Sequence, residues 1–332
     1  MISQEKYNKP MSPLTSHFSP LPLSNWGAWS LPLLLAEIDR LRQERRAIIL
    51  AHNYQPDAIQ DLADVVGDSL ALSQAAAANE AEVIVFCGVH FMAETAAILA
   101  PHKIVLLPAI GAGCPMADMA EPEAVMAMRA QYPEAAVVSY INTSAAVKAV
   151  SDYCCTSANA INIVRAVPAR QIIFLPDQNL GHYVAAQVPE KEIIVWPGYC
   201  RTHHRIKPEE VEKAREAHPG TPILVHPECP PSVTRLADFV GSTSQILAKV
   251  KSMGAEDYII GTEMGILHQL EKDNPGKRFY ILSPGLVCPN MKRTSPESVH
   301  QSLLHLEPRI TVAEPLLSQA RRALDRMLEI MA

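Results

Sequence analysis

The chain has 332 residues, 48% of them hydrophobic and 19% charged, with a formal net charge of −6. This is the make-up of a globular protein long enough to bury a large core, and it offers no basic footprint for nucleic acid or for an anionic membrane surface. Seven cysteines (87, 114, 154, 155, 200, 229 and 288) in a chain expected to be cytoplasmic argue for metal or redox chemistry rather than a disulfide framework.

Residues 1–30 are rich in Pro and Ser and show no charged, apolar and cleavage segments in succession. No signal peptide is therefore expected there, and the stretch reads as a surface or disordered arm. The apolar run Leu31–Ala36 is too short to cross a bilayer. Leu31–Arg45 reads as an amphipathic helix leading into a strand over Ala47–Ala51, followed by the polar triplet His52-Asn-Tyr54. In Gln55–Val66 the residues Leu62, Val65 and Val66 are expected to be buried. Gly67-Asp-Ser69 then opens a helix over Leu70–Asn79, with a cap at Asp68 or Ser69. Further helices are expected over Ala158–Val167 and Ser244–Met253, and strands over Glu82–Phe86, Gln171–Leu175 and Asp257–Ile260. Glu297–His305 and Ala313–Met331 read as closing helices. The stripe Leu317, Ala320, Leu324, Leu328 and Met331 suggests that the last one packs back on the first part of the chain.

These elements repeat. Cys114, Cys200 and Cys288 each follow a β-rich run and a turn containing Pro and Gly, at intervals of 86 and 88 residues. Upstream, the polar strand ends His52, Tyr140 and His226 correspond, and so do Tyr54, Asn142 and Glu228 two residues on. Seventeen residues separate 52 from 69, 140 from 157 and 226 from 243, which places the hydroxyls of Ser69, Ser157 and Thr243 in register. From hydroxyl to cysteine the intervals are 45, 43 and 45. Three copies of one α/β unit are thus expected, over residues 31–119, 120–206 and 207–296, with the helices of 297–332 packing back on the first. Alternating strands and helices imply parallel sheets with right-handed crossovers. The fold class is therefore three small parallel-sheet α/β domains set with pseudo-threefold symmetry about a central site.

In open parallel sheets, functional groups gather at the carboxyl ends of strands and at the N-termini of the following helices. Three hydroxyl-bearing helix starts suggest a small substrate with several anionic groups. The convergent cysteines suggest either an iron–sulfur cluster, with one iron left open for substrate, or a zinc site completed by His203 or His204. Isolated cysteines, one per unit, favour the cluster. Cys87, Cys154 and Cys155 read as core residues, and Cys229 as a strand-end residue without a ligand role.

The motifs His52-Asn-Tyr54, Gly67-Asp-Ser69, Tyr140-Ile-Asn-Thr143, Cys155-Thr-Ser-Ala-Asn159, His226-Pro-Glu228, Gly241-Ser-Thr-Ser-Gln245 and Cys288-Pro-Asn-Met291 resemble those of the quinolinate synthase family, the A-protein of NAD biosynthesis, in order from about residue 32 onward. The resemblance implies a [4Fe–4S] cluster on Cys114, Cys200 and Cys288, with its open iron acting as a Lewis acid. It also implies condensation of iminoaspartate, supplied by L-aspartate oxidase, with dihydroxyacetone phosphate to give quinolinate, phosphate and water. Glu228 becomes the candidate general acid/base and Tyr54 a second proton carrier. His52, Ser69, Tyr140, Asn142, Ser157, His226 and Thr243 become substrate-binding residues, and His203 a neighbour of the cluster.

Two other classes fit parts of this pattern. A zinc-dependent hydrolase or aldolase would use Glu228 as base, and iron and sulfide analysis would separate it from a cluster enzyme. A redox sensor using Cys154-Cys155 or the cluster would need no buried anion site, whereas this sequence repeats one three times.

Overall fold

Runs such as Val83–Cys87 and Gln171–Leu175 are almost entirely apolar, which suits strands covered on both faces. In the computed structural model, which describes residues 30–331, they are the middle strands of three parallel sheets. The first sheet comprises β1 (Ala47–His52), β2 (Val65–Gly67), β3 (Val83–Cys87) and β4 (Ile104–Leu106). The second holds β5 (Ala136–Tyr140), β6 (Tyr153–Cys155), β7 (Gln171–Leu175) and β8 (Glu192–Val195). The third holds β9 (Ile223–Val225), β10 (Phe239–Val240), β11 (Asp257–Gly261) and β12 (Arg278–Ile281). One order serves all three sheets: second, first, third, fourth in sequence, with every pair parallel.

One repeated aspartate accounts for part of this. Asp64, Asp152 and Asp238 each precede the edge strand of their sheet, and each accepts the backbone N–H of a residue in or at the start of the neighbouring strand. The donors are Ile49, Val137 and Ile223, at 2.8 Å in every unit. The edge strands β2, β6 and β10 are only two or three residues long, so periodicity alone does not reveal them. Leu62, Val65 and Val66, expected to be buried, are half-buried because they lie in or just before such an edge.

The hydroxyl positions also differ from expectation. Helix Ser69–Ala78 is capped by Asp68, whose carboxylate accepts from the N–H groups of Leu70 and Ala71. Helix Thr243–Ser252 is capped by Ser242. In the second unit the helix starts later, at Ala160, and Asn159 Oδ1 accepts the Thr156 N–H at 2.6 Å. Ser69, Ser157 and Thr243 are therefore not the caps, and their hydroxyls are left for other partners.

Helix Pro296–His305 lies against helix Leu31–Glu44 of the first unit. The last helix, Leu316–Met331, does not pack chiefly on the first unit. Its main neighbours are helix Ala145–Ala149 and β6 of the second, with a smaller contact to helix His90–Leu99 of the first. Its buried residues Ala320, Ala323, Leu324 and Met327 join one apolar cluster that runs through both units. Ala145 and Cys154 of the second unit and Phe91 and Ala97 of the first belong to the same cluster. The arm expected over residues 1–30 lies, apart from Ser30, outside the described residues. Among the described residues no helix is long and apolar enough to cross a membrane.

Candidate active site

The carboxyl ends of the sheets meet at a cavity of about 320 Å³. Twelve of the residues singled out from the sequence line it in matching sets: His52, Tyr54, Ser69 and Cys114 from the first unit; Tyr140, Asn142, Ser157 and Cys200 from the second; His226, Glu228, Thr243 and Cys288 from the third; His203 lines it too, and His204 does not. Cys87, Cys154, Cys155 and Cys229 are buried and do not line it.

The repeat is visible in the hydrogen bonds. Tyr54 N–H donates to His52 Nδ1 at 3.1 Å, and Glu228 N–H donates to His226 Nδ1 at 3.2 Å. A ring nitrogen that accepts carries no proton, so each neutral imidazole keeps its proton on Nε2. His226 Nε2 then donates to Ser157 Oγ at 3.2 Å across the boundary between units. Burial pushes His52 down to about 4 and His226 to about 3, so both rings are neutral donors near pH 7.

A second chain of bonds joins Tyr54 to Glu228 through two residues that carried no catalytic role in the sequence reading. Tyr54 Oη lies 2.9 Å from Thr243 Oγ1 and 2.6 Å from Thr262 Oγ1. Thr262 Oγ1 is 2.9 Å from His203 Nε2, and His203 Nδ1 is 2.8 Å from Glu228 Oε2. Tyr140 donates to the other Glu228 oxygen at 2.8 Å. His203 Nδ1 also lies 3.3 Å from Cys200 Sγ, which makes it a direct neighbour of a candidate ligand. The sequence signal for Thr262 was its place one residue beyond β11, at a strand's carboxyl end.

Burial raises the Glu228 carboxyl, but the imidazoles of His226 and His203 and the Tyr140 hydroxyl outweigh it and hold it below the ordinary carboxylate range. Since His226 is neutral, the lasting share of this comes from the two direct donors, His203 and Tyr140. Burial, reinforced by the Glu228 charge, pushes both tyrosines well above their usual range, so each stays an O–H donor. Asn142 Oδ1 is buried with no hydrogen-bond partner, although it lines the cavity. A buried acceptor left open beside the cavity is available to a ligand. The loop that presents it is held by the fully buried Lys148, whose ammonium donates to the carbonyls of Ile141, at 2.8 Å, and of Thr143.

The cysteines fit a polynuclear centre better than a single ion. Each is half-buried and free, and each precedes a short helical turn whose backbone N–H groups bond its sulfur: Met116 and Ala117 for Cys114, His203 for Cys200, and Asn290 and Met291 for Cys288. Such bonds stabilise cluster thiolates. Burial raises all three thiols, that of Cys114 to about 12, and Cys114 also feels the charge of Cys288. Neutral thiols can stay there unpaired, but as ligands they would have to lose their protons, which a cationic centre between them favours. Among the described residues the one group of three ligand atoms lying within 4.8 Å of one another is Cys200, His203 and Glu228, not the cysteine trio. One zinc ion on all three cysteines would need them closer, whereas a cluster offers each a different metal atom.

Parallel sheets whose carboxyl ends bring buried titratable side chains and three thiols to one cavity mark an α/β protein of the enzyme class. Comparison with known proteins gives the family. The family model described as quinolinate synthetase A protein, NadA, matches residues 36–329. The chain is 57% identical to a quinolinate synthase of Caldicellulosiruptor saccharolyticus over 294 residues, 89% of this chain and 97% of that protein. It is 54% identical to one of Methanoregula boonei over 298 residues, covering 90% and 98%, and 52% identical to one of Geobacter sp. strain M21 over 297 residues, covering 90% and 97%. The chain belongs to the quinolinate synthase A protein family.

Proposed function

We propose that this enzyme condenses iminoaspartate with dihydroxyacetone phosphate to give quinolinate, phosphate and two molecules of water, with a [4Fe–4S] cluster held by Cys114, Cys200 and Cys288. When bound, the cluster supplies a Lewis-acidic iron without a protein ligand, suited to polarising a substrate oxygen and easing loss of water. The observation that carries the reading is the hydrogen-bonded chain Thr243–Tyr54–Thr262–His203–Glu228–Tyr140, which crosses all three units beside the convergent cysteines.

The roles follow from protonation. Glu228 is an ionised carboxylate and takes the proton from carbon next to a carbonyl or imine. The chain through His203 and Thr262 carries a proton between Glu228 and the Tyr54 hydroxyl, which donates to oxygen where negative charge develops. His52 offers a neutral Nε2–H donor to the phosphate and carboxylates, and His226, whose Nε2–H is given to Ser157, orients that hydroxyl to donate beside those of Ser69 and Thr243. Asn142 places its open Oδ1 opposite a substrate N–H or O–H. The iminoaspartate, a short-lived imine, would come from an amino-acid oxidase such as L-aspartate oxidase.

A second reading has one observation behind it. Cys200, His203 and Glu228 could hold a single zinc ion for aldolase-type chemistry, leaving Cys114 and Cys288 without a task. An anaerobic assay with both substrates separates the two. Quinolinate formed in step with phosphate release, and abolished in Glu228→Gln, supports the condensation. Turnover that follows added zinc and not iron supports the aldolase.

A further inference from the structure

Each cysteine-bearing loop is tied to its sheet in the same way. The N–H groups of His90, Gln178 and Met264 donate to the carbonyls of Ala112, Gly198 and Leu286, two residues before Cys114, Cys200 and Cys288, at 2.7–2.9 Å. The residue just before each donor differs between units. It is Val89 in the first, Asp177 in the second and Glu263 in the third. Asp177 and Glu263 are both fully buried.

Both carboxylates reach forward to a cysteine. Asp177 Oδ2 accepts the Cys200 N–H at 2.9 Å while Oδ1 accepts the Leu180 N–H at 2.7 Å. Glu263 Oε1 accepts the Cys288 N–H at 3.1 Å while Oε2 accepts the Gly265 N–H at 2.7 Å. Val89 has no group that could do this for Cys114. Each carboxylate also stands beside a donor to one of the two candidate catalytic residues, from across a unit boundary. Asn179, two residues after Asp177, donates its amide to the Glu228 carbonyl at 2.8 Å. Lys292, 3.0 Å from Glu263, donates to the Tyr54 carbonyl at 2.6 Å.

We propose that Asp177 and Glu263 are positioning residues that aim Cys200 and Cys288 at the shared cofactor and hold those loops in register with Glu228 and Tyr54. Residues outside the ligand set orient ligands in this way, and their loss typically lowers metal affinity by about 10–100-fold. In both residues each carboxylate oxygen accepts a backbone N–H, so no orientation of an isosteric amide can satisfy both donors. Cys114, with Val89 behind it, is left as the ligand that adjusts. The inference rests on the cluster reading above for what the cysteines are aimed at.

The test uses the full chain, purified without oxygen, as wild type, Asp177→Asn and Glu263→Gln. Iron and sulfide are measured first. After chelation, the rate at which iodoacetamide alkylates Cys114, Cys200 and Cys288 is followed by peptide mass spectrometry. Asp177→Asn is expected to change the rate at Cys200 at least about threefold and leave the other two alone, and Glu263→Gln to do the same at Cys288. Each variant should retain less than half of the wild-type iron and sulfide. Unchanged rates at the paired cysteine, or all three shifting together as in a loosened fold, would overturn the proposal. A wild type that never holds iron and sulfide would defeat the cluster reading instead, and the alkylation pattern would still decide whether the two carboxylates aim their cysteines.

Discussion

Glu228 is a carboxylate buried where water cannot solvate it, and it stays ionised because Tyr140 and His203 donate to its two oxygens. Glu228→Gln keeps the volume and removes the base, so kcat should fall by about 10²–10⁴ with iron content unchanged. Near-normal turnover would remove Glu228 from the role. His52 and His226 make a separate prediction about stability. Their folded values lie below the ordinary 6.5, so the unfolded chain binds protons that the folded chain refuses. Stability is complete above about pH 6.5 and is lost on acidification, by up to about 1.4 kcal/mol per histidine per pH unit, down to about pH 4 for His52 and about 3 for His226. Glu228 loses its own contribution lower, as pH falls below its ordinary 4.5. The melting midpoint of the cluster-free protein should therefore drop between pH 6.5 and 4, and His52→Gln should flatten that slope. An equal slope in both proteins would mean that His52 is not the group refusing the proton.

At the scale of the element, the same strand-to-turn junction is built three times with different side chains. Asp64, Asp152 and Asp238 show what stays constant, a carboxylate that fastens the edge strand to the strand beside it. Asp238→Ala leaves the Ile223 N–H without its acceptor and should cost about 1–3 kcal/mol, seen in a denaturant melt, without altering iron content. A loss of iron with no change in stability would contradict that structural role. The strand-end residues His52, Tyr140 and His226 were readable in the sequence because they recur in register, and the apolar middle strands because they are long enough to show a pattern, whereas the three aspartates were not singled out. The edge strands were not, being two or three residues held by sheet pairing rather than by propensity. Of the two caps expected for the first unit, Asp68 takes the role and Ser69 does not, and the third unit follows the same rule. Asp68 and Ser242 sit just before the conspicuous hydroxyls and take the capping role themselves.

Across the whole molecule, the first two units share one apolar cluster sealed by the last helix, while the third carries clusters of its own. Leu324, fully buried in that seam, should cost about 2–5 kcal/mol as Leu324→Ala. Contacts of this scale are what a single sequence conceals. Intervals showed which residues correspond, but not that Thr262 and His203 would bridge Tyr54 and Glu228, which lie 174 positions apart in the chain, on different units. That bridge depends on how the units dock, and no local pattern encodes it.

The proposed cluster needs three cysteines, one from each unit, to hold it in this cavity. The most direct test is anaerobic purification followed by the visible spectrum and by iron and sulfide analysis of the same sample. A brown protein with about four iron and four sulfide per chain is expected, both lost in Cys200→Ser. A colourless protein holding a single zinc ion, or a Cys200→Ser variant with full iron and sulfide, would contradict it.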